Sequence, residues 1–201
     1  MIDPYLNGYG LRFPRSNLIS LIFKSIEIGQ PIKILDIGCG LGANAEILNI
    51  FEGTYLGIDL SKNAISKASS IYKNNTNISF KQSDVREFFK NNKDEFNIVI
   101  DSSTLQHVQR DDIPAVIKEI GIHINQQPRK SMFFSNWASD KNSNMDIRFE
   151  NFTGFELIIS NFQEIFGNLE IYKSTSSKVD IYDISSESST VREFQIKGER
   201  K

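Results

Sequence analysis

The residues whose types and spacing could do chemistry cluster early in the chain. In Lys33-Ile-Leu-Asp-Ile-Gly-Cys-Gly-Leu-Gly-Ala-Asn44 an apolar run reaches Asp36, and glycines follow at positions 38, 40 and 42. Glycines are needed where a backbone turns tightly or where a ligand must approach main-chain N–H groups closely. A helix starting after such a loop adds unpaired donors and the positive end of its dipole. Gly38, Gly40 and Ala43 also fit the G-x-G-x-x-[GA] dinucleotide pattern, so the glycines alone do not choose a ligand. Three carboxylates narrow the choice. Asp36 stands two residues before the first glycine, where a phosphate loop gains nothing from negative charge but a cationic amino group would be welcome. Asp59 ends Tyr55-Leu-Gly-Ile-Asp59, and 59 minus 38 is 21. That is close to the offset of about 20 at which an acidic residue chelates ribose hydroxyls. Asp84 ends a third run, Ser79–Asp84, where a carboxylate can accept a hydrogen bond from an adenine amino group. Together they suit a nucleoside carrying an amino-acid tail. Each also has a plainer use: Gly42 in helix–strand packing, Asp59 as a turn residue or cap, and Asp84 as the cap of a helix over Val85–Phe89.

The elements that must position these residues alternate in type. Short apolar runs at Ile32–Ile37, Tyr55–Ile58, Ile78–Phe80, Phe96–Ile100 and Ser131–Ser135 read as parallel strands covered on both faces. Between them Ala64, Ile65, Ala68, Ile71 and Tyr72 recur at helical spacing behind a capping Ser61. Ile113, Val116, Ile117 and Ile120 do the same, with Asp111 or Asp112 as cap and Pro114 in the first turn. This rhythm predicts an α/β domain with right-handed crossovers. Ahead of it, Leu18, Ile19, Ile22, Phe23 and Ile26 predict a helix reaching about Gly29, preceded by an arm with Tyr5, Tyr9, Arg12, Phe13 and Arg15. Beyond the fifth strand the reading is a loop over Asn136–Asn151, a helix over Thr153–Phe166 and a strand at Leu169–Lys173. A Ser-rich stretch, Ser174–Thr190, flanks a period-two patch at Val179–Ile184, and a last strand lies near Arg192–Lys197.

With these elements placed, the chain resembles the class I S-adenosylmethionine-dependent methyltransferases. The matching pieces are Leu35-Asp-Ile-Gly-Cys-Gly-Leu-Gly42, Gly57-Ile-Asp-Leu-Ser61, Gln82-Ser-Asp-Val-Arg86 and Phe96-Asn-Ile-Val-Ile-Asp-Ser-Ser-Thr-Leu-Gln-His107. They fall in the family's order over about Ile32 to Ser135. The resemblance implies a Rossmann-like three-layer α/β sandwich whose seven-stranded, mostly parallel sheet has an antiparallel last strand. It implies a single domain over 1–201, with an arm and helix at 1–30, a cofactor-binding core at 31–135 and a C-terminal part at 136–201. It implies S-adenosylmethionine as cofactor. Gly38, Gly40 and Gly42 would then line the methionine moiety, Asp59 hold the ribose, and Asp84 with Val85 frame the adenine. Asp101 or Ser102 would lie near the sulfonium and the amino-acid tail. Asp36, Leu60 and the backbone of Cys39 complete the expected cofactor-binding set.

Charge and composition bear on the methyl acceptor. The sum of 23 basic and 25 acidic residues is −2, a field too weak to collect nucleic acid or an anionic membrane. No apolar run approaches the roughly 18 residues of a membrane helix, and the start lacks a signal peptide's pattern, so a cytoplasmic location is expected. The lone Cys39 allows no intramolecular disulfide, and inside a packed turn it is not placed as a nucleophile, which argues against cytosine-C5 methylation. The five prolines supply no Asn/Asp-Pro-Pro-aromatic signature after the fourth strand. A small-molecule acceptor, taking the methyl group on O, N or S, is therefore expected. RNA or protein methylation, a non-catalytic S-adenosylmethionine-binding role and an NAD-dependent reductase are the alternatives.

Of the two histidines, His107 is the candidate general base, six residues beyond Asp101; in the resembled family the same stretch also serves to close over the cofactor. His123, among isoleucines, reads as packing. Asp101 with Asn136 echoes a metal-binding acid–amide pair, but the second acid is missing and no metal is expected. The aromatic arm could be a lid or could pack on the sheet edge, and Trp137 could wall the acceptor pocket or belong to the core.

Overall fold

Runs rich in β-branched residues make strands that need cover on both faces. Ile32–Ile37 shows the result: Ile34, Leu35, Asp36 and Ile37 are all shut off from solvent. A computed structural model describes residues 13–14, 16–26, 29–102, 104–124, 132–140, 166–178 and 189–200. In chain order the elements are α1 (Ser16–Ser25), β1 (Ile32–Ile37), a 3₁₀ run (Ala43–Asn49), β2 (Gly53–Asp59), α2 (Lys62–Ile71), β3 (Ile78–Gln82) and α3 (Val85–Asn91). There follow β4 (Ile98–Ser102), 3₁₀ turns at Leu105–His107 and Arg110–Asp112, α4 (Ile113–His123), β5 (Met132–Asp140), β6 (Phe166–Lys178) and β7 (Ser189–Arg200).

The strands form a sheet in the order β3-β2-β1-β4-β5-β7-β6. The pairs from β3 through β5 are all parallel, whereas β7 runs antiparallel to both β5 and β6. Alternate β1 side chains serve different cores. Leu35 and Ile37 pack with Phe88 and Phe89 of α3 and with Val116, Ile117 and Ile120 of α4. Ile32 and Ile34 pack on the opposite face with Leu18, Leu21 and Ile22 of α1. The result is the Rossmann-like three-layer arrangement. From β1 the chain steps first to β2 and β3 and later to β4 on the other side. In open α/β sheets such a switch point leaves a crevice at the carboxyl ends of the strands. Among the described residues no helix is long and apolar enough to cross a membrane.

Several element bounds differ from the sequence expectation for physical reasons. The segment after the glycine loop is a 3₁₀ run rather than an α-helix. Its cap, Gly42, has no side chain with which to satisfy the first turn, and Ala45 N bonds Gly42 O in the tighter i→i+3 pattern. Strand β4 begins at Ile98, and Phe96 makes only an isolated bridge to Ile124. The polar residues Asn136–Asp140, expected as loop, extend β5 because each pairs with β7, from Asn136↔Gln195 to Asp140↔Val191. Ser174–Lys178 is strand for the same reason, since it pairs with β7 down to Lys178↔Ser189. Phe166 opens β6 instead of closing a helix. The expected helix over 153–165, the Val179–Ile184 patch, and Tyr5, Tyr9, Arg12 and Arg15 lie outside the described residues.

Candidate functional site

The glycine loop is built by its own backbone. Gly38, Gly40 and Gly42 have φ of 68, 55 and 79°, a left-handed region that other residues enter at a cost. Gly38 N and Cys39 N both donate to Ile58 O, at 2.7 and 3.0 Å. Gly40 N donates to Asp59 Oδ2 at 2.9 Å, and Gly42 N donates to Cys39 O at 2.9 Å. These four donors are therefore already paired. A phosphate-binding loop works by leaving such donors open towards the ligand. Two of the glycines also have packing roles: a Cβ on Gly38 would lie 1.7 Å from Thr104 Oγ1, and one on Gly42 would lie 2.6 Å from the Phe80 ring.

A cleft of about 540 Å³ opens where β1, β2 and β4 end, a size in the usual range for a small-ligand site. One wall brings Asp59 and Leu60 from the end of β2 next to Asp84 and Val85 from the start of α3. The other wall is Ser102 with the turn that carries Thr104, His107 and Val108. Leu60 is 68% exposed there, an unusual position for a large apolar side chain beside two carboxylates. An amphipathic nucleoside, with an apolar ring and polar edges, matches that mixture.

The charges in the cleft favour a cation. Asp59 and Asp84 face it, and the cation among its described lining residues, Arg86, is neutralised twice over. Its Nε and Nη2 hold Asp84 at 2.9 and 2.7 Å, while Nη1 holds Asp112 at 2.7 Å. The Arg86 guanidinium, together with the hydrogen bond from Arg86 N, keeps the Asp84 carboxyl below its ordinary range. Behind the loop, Asp36 accepts from Tyr55 OH and Asn44 Nδ2 on one oxygen, and its other oxygen, Oδ1, has no partner among the described residues. A buried acceptor of this kind is expected to have a donor. A positively charged nucleoside with an ammonium-bearing tail fits these groups, and a pyrophosphate does not.

Comparison with known proteins agrees. Residues 34–126 match the family model described as a methyltransferase domain. The phosphoethanolamine N-methyltransferase of Plasmodium falciparum is 24% identical over 153 residues, which cover 75% of this chain and 54% of that protein. The probable S-adenosyl-L-methionine-dependent methyltransferase TehB of Haemophilus influenzae is 26% identical over 105 residues, 52% of this chain and 36% of that one. Residues 34–126 are thus similar to a methyltransferase domain, and the relatives include an S-adenosyl-L-methionine-dependent one. The chain spans about half the length of the Plasmodium relative and about a third of the Haemophilus one. In fold, this methyltransferase domain and its flanks resemble phosphoethanolamine N-methyltransferase 2 of Haemonchus contortus. The TM-score is 0.68 at 14% identity, covering 98% of this chain and 56% of that one. That structure holds phosphomonomethylethanolamine and S-adenosylhomocysteine.

Of the residues expected to serve the methyltransferase cofactor, Gly38, Asp59, Leu60, Asp84, Val85 and Ser102 line the cleft together with His107. Cys39, Gly40 and Gly42 are not among its lining residues. The Cys39 side chain is buried against Gly57, and burial pushes its thiol far above the ordinary range, so it is no nucleophile. Gly42 takes its plainer role against Phe80. Asp101, expected near the sulfonium, is fully buried behind the cleft wall, where Oδ1 accepts from Thr104 N at 2.7 Å and Leu105 N at 3.1 Å. It shapes the turn that carries Thr104 and His107. Asp59 and Asp84 take their plainer roles and also line the cleft: Asp59 Oδ1 accepts from Ser61 N, and Asp84 caps α3 through Arg86 N. His123 is a packing residue, with its ring nitrogens at the carbonyls of Glu119 and Asn92. Sequence reading overlooked Arg86, Thr104 and Val108; the available signal was that Arg86 and Thr104 sit within two of the matched pieces and that Val108 directly follows one.

Asp36 gives the methyltransferase domain a measurable pH signature. Desolvation raises its carboxyl from 3.8 to about 7, despite the opposing bonds from Tyr55 and Asn44. Between those values the folded state holds a proton that the unfolded state has lost. Stability from this group is thus complete below pH 4 and falls as pH rises to about 7, by on the order of 4 kcal/mol. Asp84 acts in the opposite sense and at lower pH: its depressed carboxyl costs stability only as pH falls through the acid range below its ordinary 3.8. Denaturant titrations from pH 4 to 8 should show the Asp36 slope in the free protein, and Asp36→Asn should flatten it.

Proposed function

We propose that this chain is an S-adenosylmethionine-dependent methyltransferase that transfers the methyl group to an O, N or S atom of a small-molecule acceptor. The observation that carries the cofactor reading is the glycine loop with Gly38, Cys39, Gly40 and Gly42 N–H groups already bonded, beside a cleft whose carboxylates outnumber its one neutralised guanidinium. The acceptor class rests on the −2 net charge and on similar proteins whose names point to small molecules. A cytoplasmic location and a single domain over 1–201 belong to the same reading.

The residues divide the work. Asp59 accepts the ribose hydroxyls, Asp84 accepts the adenine amino group, and Leu60 and Val85 cover the base. Asp36 offers its unpartnered oxygen to the ammonium of the amino-acid tail. Bound there, S-adenosylmethionine supplies a methyl carbon activated by its sulfonium. Because the leaving group is already activated, the protein's task is mainly to align the acceptor and exclude water. Ser102, Thr104 and Val108 form the wall on which alignment depends. A base is needed only when the acceptor must lose a proton.

His107 is the candidate for that role. It is exposed on the 3₁₀ turn at the cleft, its backbone N–H held by Thr104 O at 2.9 Å. An exposed imidazole at the mouth suits closure better than proton abstraction in a dry site. His107→Ala should therefore lower turnover less than about tenfold, below the 10²–10⁴ typical of general-base loss. A loss of a hundredfold or more with unchanged cofactor affinity would make it the base.

The reading is tested by incorporation of a labelled methyl group into a small-metabolite extract, with bulk RNA and protein in parallel. Label in the metabolite fraction alone supports it. Label in RNA or protein overturns the acceptor class, and tight cofactor binding with no incorporation anywhere favours a sensor.

A further inference from the structure

Asp36, Asp59 and Asp101 are carried by β1, β2 and β4, three neighbouring strands, and each is buried. Among the described residues no lysine or arginine is buried with them. The buried His123 is engaged elsewhere, at the carbonyls of Glu119 and Asn92. Two of the three acids have the donors a carboxylate needs. Asp59 accepts from Gly40 N and Ser61 N, and Asp101 accepts from Thr104 N and Leu105 N. Asp36 differs. Its donors are the Tyr55 hydroxyl and the Asn44 amide, both on Oδ2, and Oδ1 has no partner among the described residues. A carboxylate buried in that state is costly to keep ionised, and such a group takes up a proton instead. The like charges of Asp101 and Asp59 act in the same direction. Its other titratable neighbours, Tyr55 and Cys39, are held neutral by burial and supply no counter-charge.

We infer that cofactor binding is a proton exchange at Asp36: the carboxyl carries a proton in the free protein and releases it to solvent when the cationic tail of the ligand arrives. The inference rests on the cofactor reading proposed above. The step balances as a neutral carboxyl and a protonated amine going to a carboxylate–ammonium pair and one free proton. Asp36 is already shut off from solvent in the free protein, so a ligand brings it charge rather than further desolvation. A cation beside a carboxyl favours the ionised form. Burial pushes the free carboxyl up to about 7, which marks the top of the pH range in which there is a proton to release. The tail's own α-carboxyl and α-amino groups titrate outside about pH 5 to 7. Proton and ligand therefore compete for one group, and acidification weakens cofactor binding.

The experiment is calorimetric titration of the full chain with S-adenosylhomocysteine from pH 5.5 to 8, at each pH in two buffers of different ionisation enthalpy, which counts the protons released. 5′-Methylthioadenosine, which has the nucleoside without the amino-acid tail, is titrated in parallel and carries any contribution from Asp59, Asp84 or His107 at the cleft. Wild type should release close to one proton per S-adenosylhomocysteine at about pH 6 and almost none at about pH 8. Its affinity should be at least about tenfold higher at pH 7.5 than at pH 5.5. Methylthioadenosine should release no proton and bind within about twofold across the range. In Asp36→Asn the amide oxygen can still accept from Tyr55 and Asn44, so the variant should fold, as its melting temperature will show. It should bind S-adenosylhomocysteine with no proton release. Release below about half a proton at pH 6, equal release with methylthioadenosine, or release that persists in Asp36→Asn overturns the inference and leaves the cofactor reading intact. If wild type binds neither compound, the cofactor reading falls and this inference with it.

Discussion

Asp59→Ala is expected to weaken binding of S-adenosylhomocysteine at least a hundredfold. The carboxylate has three tasks that alanine cannot share. Oδ2 holds Gly40 N at 2.9 Å and so fixes the glycine loop; Oδ1 holds Ser61 N at 2.8 Å and so fixes the turn into α2. Asp59 also lines the cleft, where the ribose is proposed to sit. Hydrogen bonds to charged groups are worth about 1.5–3 kcal/mol, and leaving a buried donor unpaired costs about 1–3 kcal/mol. A hundredfold change is about 2.8 kcal/mol, so the ribose bonds alone suffice. Calorimetry reads the affinity, and the melting temperature reads the separate cost of freeing Gly40 N and Ser61 N. An Asp59→Ala protein that binds within about tenfold of wild type would remove the ribose role from this residue.

Gly38→Ala should lower stability by about 3 kcal/mol or more. Two costs combine. An alanine at φ 68° pays roughly 1–2 kcal/mol for the left-handed conformation. Its Cβ would also lie 1.7 Å from Thr104 Oγ1 and 2.8 Å from Thr104 Cβ, and a β-branched side chain has few other rotamers to adopt. Thr104 is further pinned because its hydroxyl donates to Ile37 O at 2.9 Å. Thr104→Gly in the same chain should return the steric part and leave the conformational part. Denaturant melts of the two single variants and the double variant should therefore show a coupling of at least about 1 kcal/mol. Strictly additive losses would mean that the contact between Gly38 and Thr104 is not what requires a glycine.

These two residues show where the sequence was readable. The left-handed turn and the acid 21 positions beyond Gly38 are local patterns, visible as Gly-x-Gly-x-Gly and Gly57-Ile-Asp59. What each glycine accommodates is not local. Thr104 reaches Gly38 and Phe80 reaches Gly42 only because β4 and β3 bring them there, and no spacing rule contains that approach. The same holds for the loop's donors. They bond to Ile58 O and Asp59 rather than standing open, and that pairing separates the two ligand classes that the glycines alone left tied. Asp101 has the place of a site residue at the end of β4, but it is fully buried, accepts from the backbone N–H groups of Thr104 and Leu105, and is not among the residues lining the cleft. The polar ends of β5 and β6 carried no strand signal at all, because their pairing with β7 is a backbone property that side-chain patterning does not encode.

The most direct test of the central claim is a paired calorimetric titration of the full chain with S-adenosylhomocysteine and with NADH. The geometry predicts saturable, micromolar-range binding of S-adenosylhomocysteine and none of NADH. Binding of NADH without S-adenosylhomocysteine would contradict the account, since a pyrophosphate would then be held by a loop whose donors at Gly38, Cys39, Gly40 and Gly42 are already engaged.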